Sequence, residues 1–240
     1  MSKIQWAFFG LIELLLISIL AVFHNFEMYL LFVIVQIDFV SMRKTYLIKD
    51  NWFNGADWLR RTTYFIPYVL PFIFLSPKIG SDSSFSFLFI LGAIVTGTSF
   101  LALRYRDLKN MYDRELLSLF PKVSLREASL AMYSSVGSAL LQELFFKAFV
   151  IRVLAPLIGT IPAVLFSSFL FVVGHILHYQ FEWKDYIAQF GLSAVAGFLY
   201  VYSGSIVVAM LTHLTYNLPI SFNYVYRYCI NQFAGREQHI

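Results

Sequence analysis

Charge is the scarcest commodity in this chain. Only 13% of its 240 residues are Asp, Glu, Lys or Arg, against roughly 25% in soluble domains. Cysteine is scarcer still. Cys229 stands alone, which excludes an internal disulfide and a Cys-based zinc site. No His-Glu-x-x-His element is present, so a thermolysin-like metal helix is excluded too. There is no internal repeat, low-complexity tract or recognisable soluble domain. What the sequence does hold is apolar: 59% hydrophobic residues, with 26 Phe and 15 Tyr, and a mean hydropathy of +0.68. That composition indicates a polytopic membrane protein whose first partner is the lipid bilayer. The net charge of +4 does not point to nucleic acid, because the basic residues gather in a few loops as orientation signals do.

A helix needs about 20 apolar residues to span a bilayer. Eight stretches are candidates: 4–23, 27–42, 62–79, 84–103, 128–155, 157–178, 185–202 and 205–226. The apolar run after Met1-Ser2-Lys3 continues without a small-x-small cleavage site, so a retained first helix is expected rather than a signal peptide. The second stretch is short and contains Asp38. Pro67, Pro71 and Pro77 punctuate the third, where kinks are expected. The polar stretch 104–127 reads as a solvated loop helix or an amphipathic surface helix. Of the 18 Lys and Arg, all but Lys78, Lys147 and Arg152 fall in 43–61, 104–127, 179–184 and the two ends. The positive-inside rule then puts both termini in the cytosol. The sequence ends Arg236-Glu237-Gln238-His239-Ile240 and lacks a cysteine four from the end, so the chain is not expected to be a prenylation substrate itself.

The fold class expected is therefore an all-α membrane bundle of about eight transmembrane helices. Three parts are distinguished: 1–127, the N-terminal helices and basic loop; 128–228, a core; and 229–240, a short cytosolic tail.

Polar residues interrupt the apolar runs of the core. An ionisable side chain at membrane depth costs roughly 2.5–3.5 kcal/mol on insertion scales, and residues kept at that cost usually face a cavity. Gln142, Glu143 and Lys147 lie on the fifth stretch, behind a segment rich in small residues that lets helices approach closely. Glu143 and Lys147 are at i,i+4, so a buried structural ion pair is the plain alternative to function. His175 lies inside the sixth stretch next to Gly174, with His178 at its edge. His213 and Asn217 share a face of the eighth, where an amide one turn away can fix the tautomer of an imidazole. A carboxylate, two imidazoles and an amide are parts of a water-activating site. They are also close to a site of two His and one Glu for a divalent metal such as zinc, with His175, His213 and Glu143 as ligands.

In this order, these residues resemble the CPBP family of intramembrane proteases, the CAAX prenyl protease and bacteriocin-processing enzymes also called Abi. The family's motifs Glu-Glu-x-x-x-Arg, Phe-x-x-x-His and His-x-x-x-Asn correspond here to Gln142-Glu143-x-x-x-Lys147, Phe171-x-x-x-His175 and His213-x-x-x-Asn217. Tyr200 to Ser205 is similar to the family's segment before the last motif. The resemblance covers roughly residues 128–220 and implies a site among the last four helices. It implies an endopeptidase that hydrolyses a peptide bond in a prenylated or membrane-associated protein or peptide. It also implies a multi-pass protein, in the inner membrane of a bacterium or the endoplasmic reticulum of a eukaryote. In the family the first Glu activates water, the two His and the Asn position water and stabilise the oxyanion, and the second Glu and the Arg support. By position these roles fall on Gln142, on His175, His213 and Asn217, and on Glu143 and Lys147, with Phe171 supporting.

Two departures matter. Lys147 keeps the charge of Arg but loses its bidentate fork. Gln142 is a neutral amide and cannot take a proton from water. Either Glu143 takes over as base, or Gln142 orients water while His175 or His213 serves as base, or the chain binds a peptide or confers immunity without cutting. A transporter is disfavoured by the lack of inverted repeats.

Overall fold

The computed structural model describes residues 3–44, 47–49, 52–76, 87–178 and 182–237. It is all-helical over those residues. Two helices, α1 (Lys3–Val22) and α2 (Phe26–Lys44), form an N-terminal pair joined at the turn that His24 and Asn25 mark in the sequence. Asn25 accepts the backbone N–H of Met28 at 2.8 Å and so starts α2. Next come α3 (Ala56–Val69), α4 (Pro71–Phe74), α5 (Phe87–Ala102), α6 (Tyr105–Met111) and α7 (Arg114–Ser118). The second half is α8 (Leu125–Glu143), a π-helical stretch over Leu144–Ile151, α9 (Arg152–Ile158), α10 (Thr160–His178), α11 (Trp183–Ser203) and α12 (Ile206–Glu237).

The third stretch starts earlier than its hydropathy suggests and breaks at Leu70, where Pro71 opens the single turn α4. Pro77 lies outside the described residues. The polar stretch 104–127 is two short helices rather than one. Asp113 caps α7 by accepting from the N–H groups of Glu115 and Leu116. The stretch is pinned to α12: the Tyr112 hydroxyl donates to the Pro219 carbonyl at 2.5 Å, Asn223 donates to the Met111 carbonyl, and Arg227 donates to the Pro121 carbonyl at 2.9 Å. The residues expected as a tail after 228 continue α12 to Glu237.

Among the described residues one helix, Trp183–Ser203, is by itself long and apolar enough to cross a membrane, and α5 with α6 makes a second candidate bent by 78°. Trp6–Val22 and Thr160–Ile176 are shorter apolar helices. The fifth stretch is continuous helix through α8, the π stretch and α9, and it carries Gln142, Glu143 and Lys147. The exterior is nonetheless apolar: Leu14, Val22, Ile73, Phe87, Leu88 and Tyr202 are all exposed. Large exposed apolar area suits lipid as solvent rather than water.

The main hydrophobic core lies where α1, α2, α3, the π stretch, α9 and α10 meet, and a smaller cluster joins the π stretch to α11 and α12. α12 lies along α8 and α5, and α10 lies against α11 and the π stretch. Two glycines set the closest approaches. A Cβ on Gly137 of α8 would stand 2.6 Å from the Phe65 ring of α3, and one on Gly97 of α5 would stand 2.6 Å from the Thr212 carbonyl of α12. Neither contact tolerates a side chain, so α3 is held against α8, and α5 against the turn of α12 that carries His213.

Candidate active site

Helix α8 begins at a capping box. Ser124 accepts the N–H of Glu127 at 3.2 Å, and the Glu127 carboxylate accepts the N–H of Ser124 at 2.7 Å. These hydrogen bonds hold the Glu127 carboxyl below the usual carboxylate range. Nineteen residues on, α8 ends at Glu143 and the backbone widens into the π stretch. Such i→i+5 turns are rare and recur at functional sites.

Glu143 and Lys147 remain within electrostatic reach of one another, but each takes its hydrogen-bond partner from another helix. Lys147, fully buried, donates from Nζ to the Ser193 hydroxyl of α11 at 2.6 Å. Glu143, 2% exposed, places Oε1 2.8 Å from Nδ1 of His213 on α12. The buried hydrogen-bond partner of Glu143 in this fold is His213, and no ion pair joins Glu143 to Lys147 among the described residues. The π stretch is itself supported from α10, where the Ser167 hydroxyl donates to the Phe146 carbonyl at 2.5 Å.

Phe171 is the centre of the cluster. Its ring centroid lies 4.5 Å from that of His175 and 5.6 Å from that of His213. It also meets Phe146 edge-on at 5.4 Å and lies 5.9 Å from Lys147 Nζ. One ring from α10 thus sets both imidazoles and touches the π stretch. The two imidazoles are oriented alike. An ionised carboxylate and a backbone carbonyl only accept. His213 therefore carries its proton on Nδ1 toward Glu143, and His175 carries its proton on Nδ1 toward the Phe171 carbonyl at 2.8 Å. In the neutral rings both Nε2 atoms are then lone-pair acceptors.

The remaining residues divide. Gln142, 2% exposed, donates from Nε2 to the Tyr64 hydroxyl of α3 at 3.2 Å. Its Oε1 and the Glu143 Oε2 are buried and have no hydrogen-bond partner. Asn217 is half-buried one turn beyond His213. It does not supply the contact that orients that ring; Glu143 does. The side chain of His178 lies outside the described residues. As for a metal, among the described residues no three His, Cys, Asp or Glu side chains converge on a common point.

Sequence reasoning missed Tyr64, Tyr68 and Ser193. The first two stand at i,i+4 in α3, a spacing that marks a shared face, but nothing in the sequence says that this face meets Gln142. For Ser193 there was no signal.

Residues 124–219 match the family model for type II CAAX prenyl endopeptidase Rce1-like. Comparison with curated proteins and with solved structures gave no match. The matched segment runs from the N-cap of α8 to Pro219 in α12. It includes Gln142, Glu143, Lys147, Phe171, His175, His213 and Asn217, and leaves out Tyr64. Over this segment, somewhat less than half of its length, the chain is similar to the Rce1-like type II CAAX prenyl endopeptidases.

Proposed function

We propose that the chain is an intramembrane endopeptidase acting on a prenylated or membrane-associated protein or peptide, with Glu143 and His213 at its centre. The observation that carries this reading is the buried Glu143–His213 pair at 2.8 Å, with the second carboxylate oxygen left unpartnered. A water bound there donates one proton toward Glu143 Oε2 and the other toward Nε2 of His175. As its oxygen attacks the carbonyl carbon, the first proton passes to Glu143 and the carbonyl π pair moves onto oxygen. The Asn217 amide would be the donor to that oxyanion. Collapse breaks the C–N bond, and Glu143 returns its proton to the leaving nitrogen, giving a carboxylic acid and an amine. His213 holds Oε1 through Nδ1–H and stabilises the carboxylate between turnovers. This chemistry needs no metal; chelation and elemental analysis of the purified protein test that.

The protein would cross the membrane several times with both termini in the cytosol, as its loop charges indicate. A cysteine-accessibility map from each side checks that topology.

A second reading is favoured by Gln142. An amide at the position of the family's first Glu removes one proton acceptor, which suits a homologue that binds a peptide, or confers immunity to one, without cutting it. A farnesylated CAAX-type reporter in membranes separates the two. Cleavage lost in His213→Ala and in Glu143→Ala supports the protease. Tight binding with no cleavage by the unmodified chain supports the binding protein.

A further inference from the structure

Lys147 is the member of the cluster that the hydrolysis leaves without a task. Its side chain is fully buried, and a buried ammonium needs polar partners because water is not there to supply them. Two are in reach. One is the Glu143 carboxylate, four residues earlier on a continuous helix and within electrostatic reach. The other is the Ser193 hydroxyl of α11. The hydrogen bond goes to the second: Nζ donates to Ser193 Oγ at 2.6 Å, and no ion pair joins Lys147 to Glu143 among the described residues. A charged acceptor is ordinarily the stronger partner for an ammonium, so the choice of a neutral hydroxyl has a cause.

The packing of α11 supplies it. Ser193 and Gly197 lie one turn apart on one face of that helix. A Cβ on Gly197 would stand 2.9 Å from Val164 Cγ1 of α10 and 3.7 Å from Lys147 Cδ. The missing side chain lets α11 close onto α10 and onto the lysine stem, which brings the buried Ser193 hydroxyl to the ammonium. The Phe171 ring, 5.9 Å from Nζ, gives the same charge a π face.

What this placement leaves free is the carboxylate. Glu143 is the sole carboxylate of the cluster, since its neighbour Gln142 is an amide. Its Oε1 lies 2.8 Å from His213 Nδ1, and its Oε2 has no partner. Lysine carries three donors on a flexible stem. Without the Ser193 acceptor, the strongest partner left within its reach is Glu143, and a pair there would occupy Oε2 or displace His213. Oε2 is the atom that takes the proton of water in the proposed hydrolysis. We propose that Ser193 is a positioning residue of the active site: its hydroxyl, brought in by Gly197, holds the Lys147 ammonium away from Glu143 and so keeps Oε2 open. The proposal rests on the hydrolytic reading of the cluster given above.

The test uses the full chain in proteoliposomes with a farnesylated reporter peptide. Ser193→Ala and Ser193→Thr are made with Lys147 present and again with Lys147→Met, and thermal unfolding verifies that each variant folds. If Ser193→Ala does not fold, Ser193→Cys takes its place, because a thiol keeps the volume and accepts only weakly. With Lys147 present, Ser193→Ala is expected to lower kcat about tenfold with KM within about twofold. Ser193→Thr, which keeps the hydroxyl, should stay within about threefold of the unmodified chain. In the Lys147→Met background, Ser193→Ala should change kcat by less than about twofold, and the double variant should cut faster than Ser193→Ala alone. Equal losses in the two backgrounds overturn the proposal. So does a Ser193→Ala chain that unfolds earlier but turns over at the unmodified rate, since that is a structural role alone. A second arm needs no cleavage. The unfolding shifts of Glu143→Gln and Lys147→Met, singly and combined, are compared with Ser193 present and with Ser193→Ala. Their departure from additivity should be at least about twice as large with Ser193→Ala, because the two residues then pair. A chain that cuts nothing overturns the hydrolytic reading, and this second arm then decides the placement of Lys147 by itself: an unchanged departure from additivity overturns it, and a doubled one supports it.

Discussion

Asp57–Arg126 and Glu143–His213 are hydrogen-bonded acid–base pairs of similar geometry in very different surroundings. Each ties two helices distant in sequence, at 2.5 Å and 2.8 Å. At the first, the Arg126 side chain is 46% exposed, and Asp57 also accepts the Trp58 N–H. The Arg126 guanidinium holds the Asp57 carboxyl below the usual carboxylate range. At the second, both side chains are buried, and one carboxylate oxygen has no partner. The first pair is a latch between α3 and α8, screened by its surroundings and of small consequence. The second carries an unmet hydrogen-bonding demand into a dry interior, where removing one partner leaves an uncompensated polar group. The distance within such a pair therefore says little of its role. What distinguishes the two is burial and what the pair leaves unsatisfied.

The largest effect is expected at the buried pair. Glu143→Gln keeps the shape but removes the proton acceptor, and cleavage of a prenylated reporter should fall by about 10²–10⁴-fold. His213→Ala should match it, and combining the two should add little, because the pair acts as one unit. Activity retained in either single variant would break the contrast drawn between the pairs.

Gln142→Glu comes next. It puts a second carboxylate beside Glu143, near Tyr64, and reporter cleavage should rise by about 10²-fold. An unchanged rate in a folded protein would mean that an acceptor at 142 does not limit turnover.

Phe171→Ala removes the ring that both imidazoles rest on. Emptying such a site costs about 3–5 kcal/mol, so thermal unfolding should occur markedly earlier and cleavage should be lost with it. An unfolding midpoint close to that of the unmodified chain would show that Phe171 is not the centre of the packing.

The smallest effect belongs to the exposed latch. Asp57→Asn should leave reporter cleavage unchanged and lower the unfolding temperature slightly at neutral pH. The sign with pH follows from the depressed carboxyl. Its contribution is present above the unfolded carboxylate range and is lost as pH falls through the lower folded value. The unmodified chain and Asp57→Asn should therefore converge in stability under strongly acid conditions. A difference that persists there would assign the effect to packing rather than to charge.

The polar cluster was legible in the sequence because lipid makes each of its members conspicuous. Gln142, Glu143, His175 and His213 stand out against apolar runs whatever the fold. Their pairing was not legible. Glu143 and Lys147 are spaced to pair on a helix, but partners from other helices, His213 and Ser193, take their hydrogen bonds, and nothing in the sequence announces those contacts. Asn217 was expected to orient His213 for a similar reason of spacing, and a contact from another helix takes that place. Element positions were readable from hydropathy, since every apolar stretch contains a helix. Their lengths were not: Leu70 and Pro71 cut the third stretch, and contacts with the 104–127 segment help carry α12 past the end of its apolar run. Tyr64 and Ser193 were invisible because their contacts with Gln142 and Lys147 exist only once α3 and α11 are packed against α8 and the π stretch.

The central claim is that the Glu143–His213 pair activates water for peptide hydrolysis. It is tested most directly by purified protein in proteoliposomes, with a farnesylated CAAX-type reporter and mass spectrometry of the products. The account predicts that the unmodified chain releases the C-terminal fragment and that Glu143→Gln, equally well folded, does not. Release at equal rates by both proteins, or by neither, would contradict it.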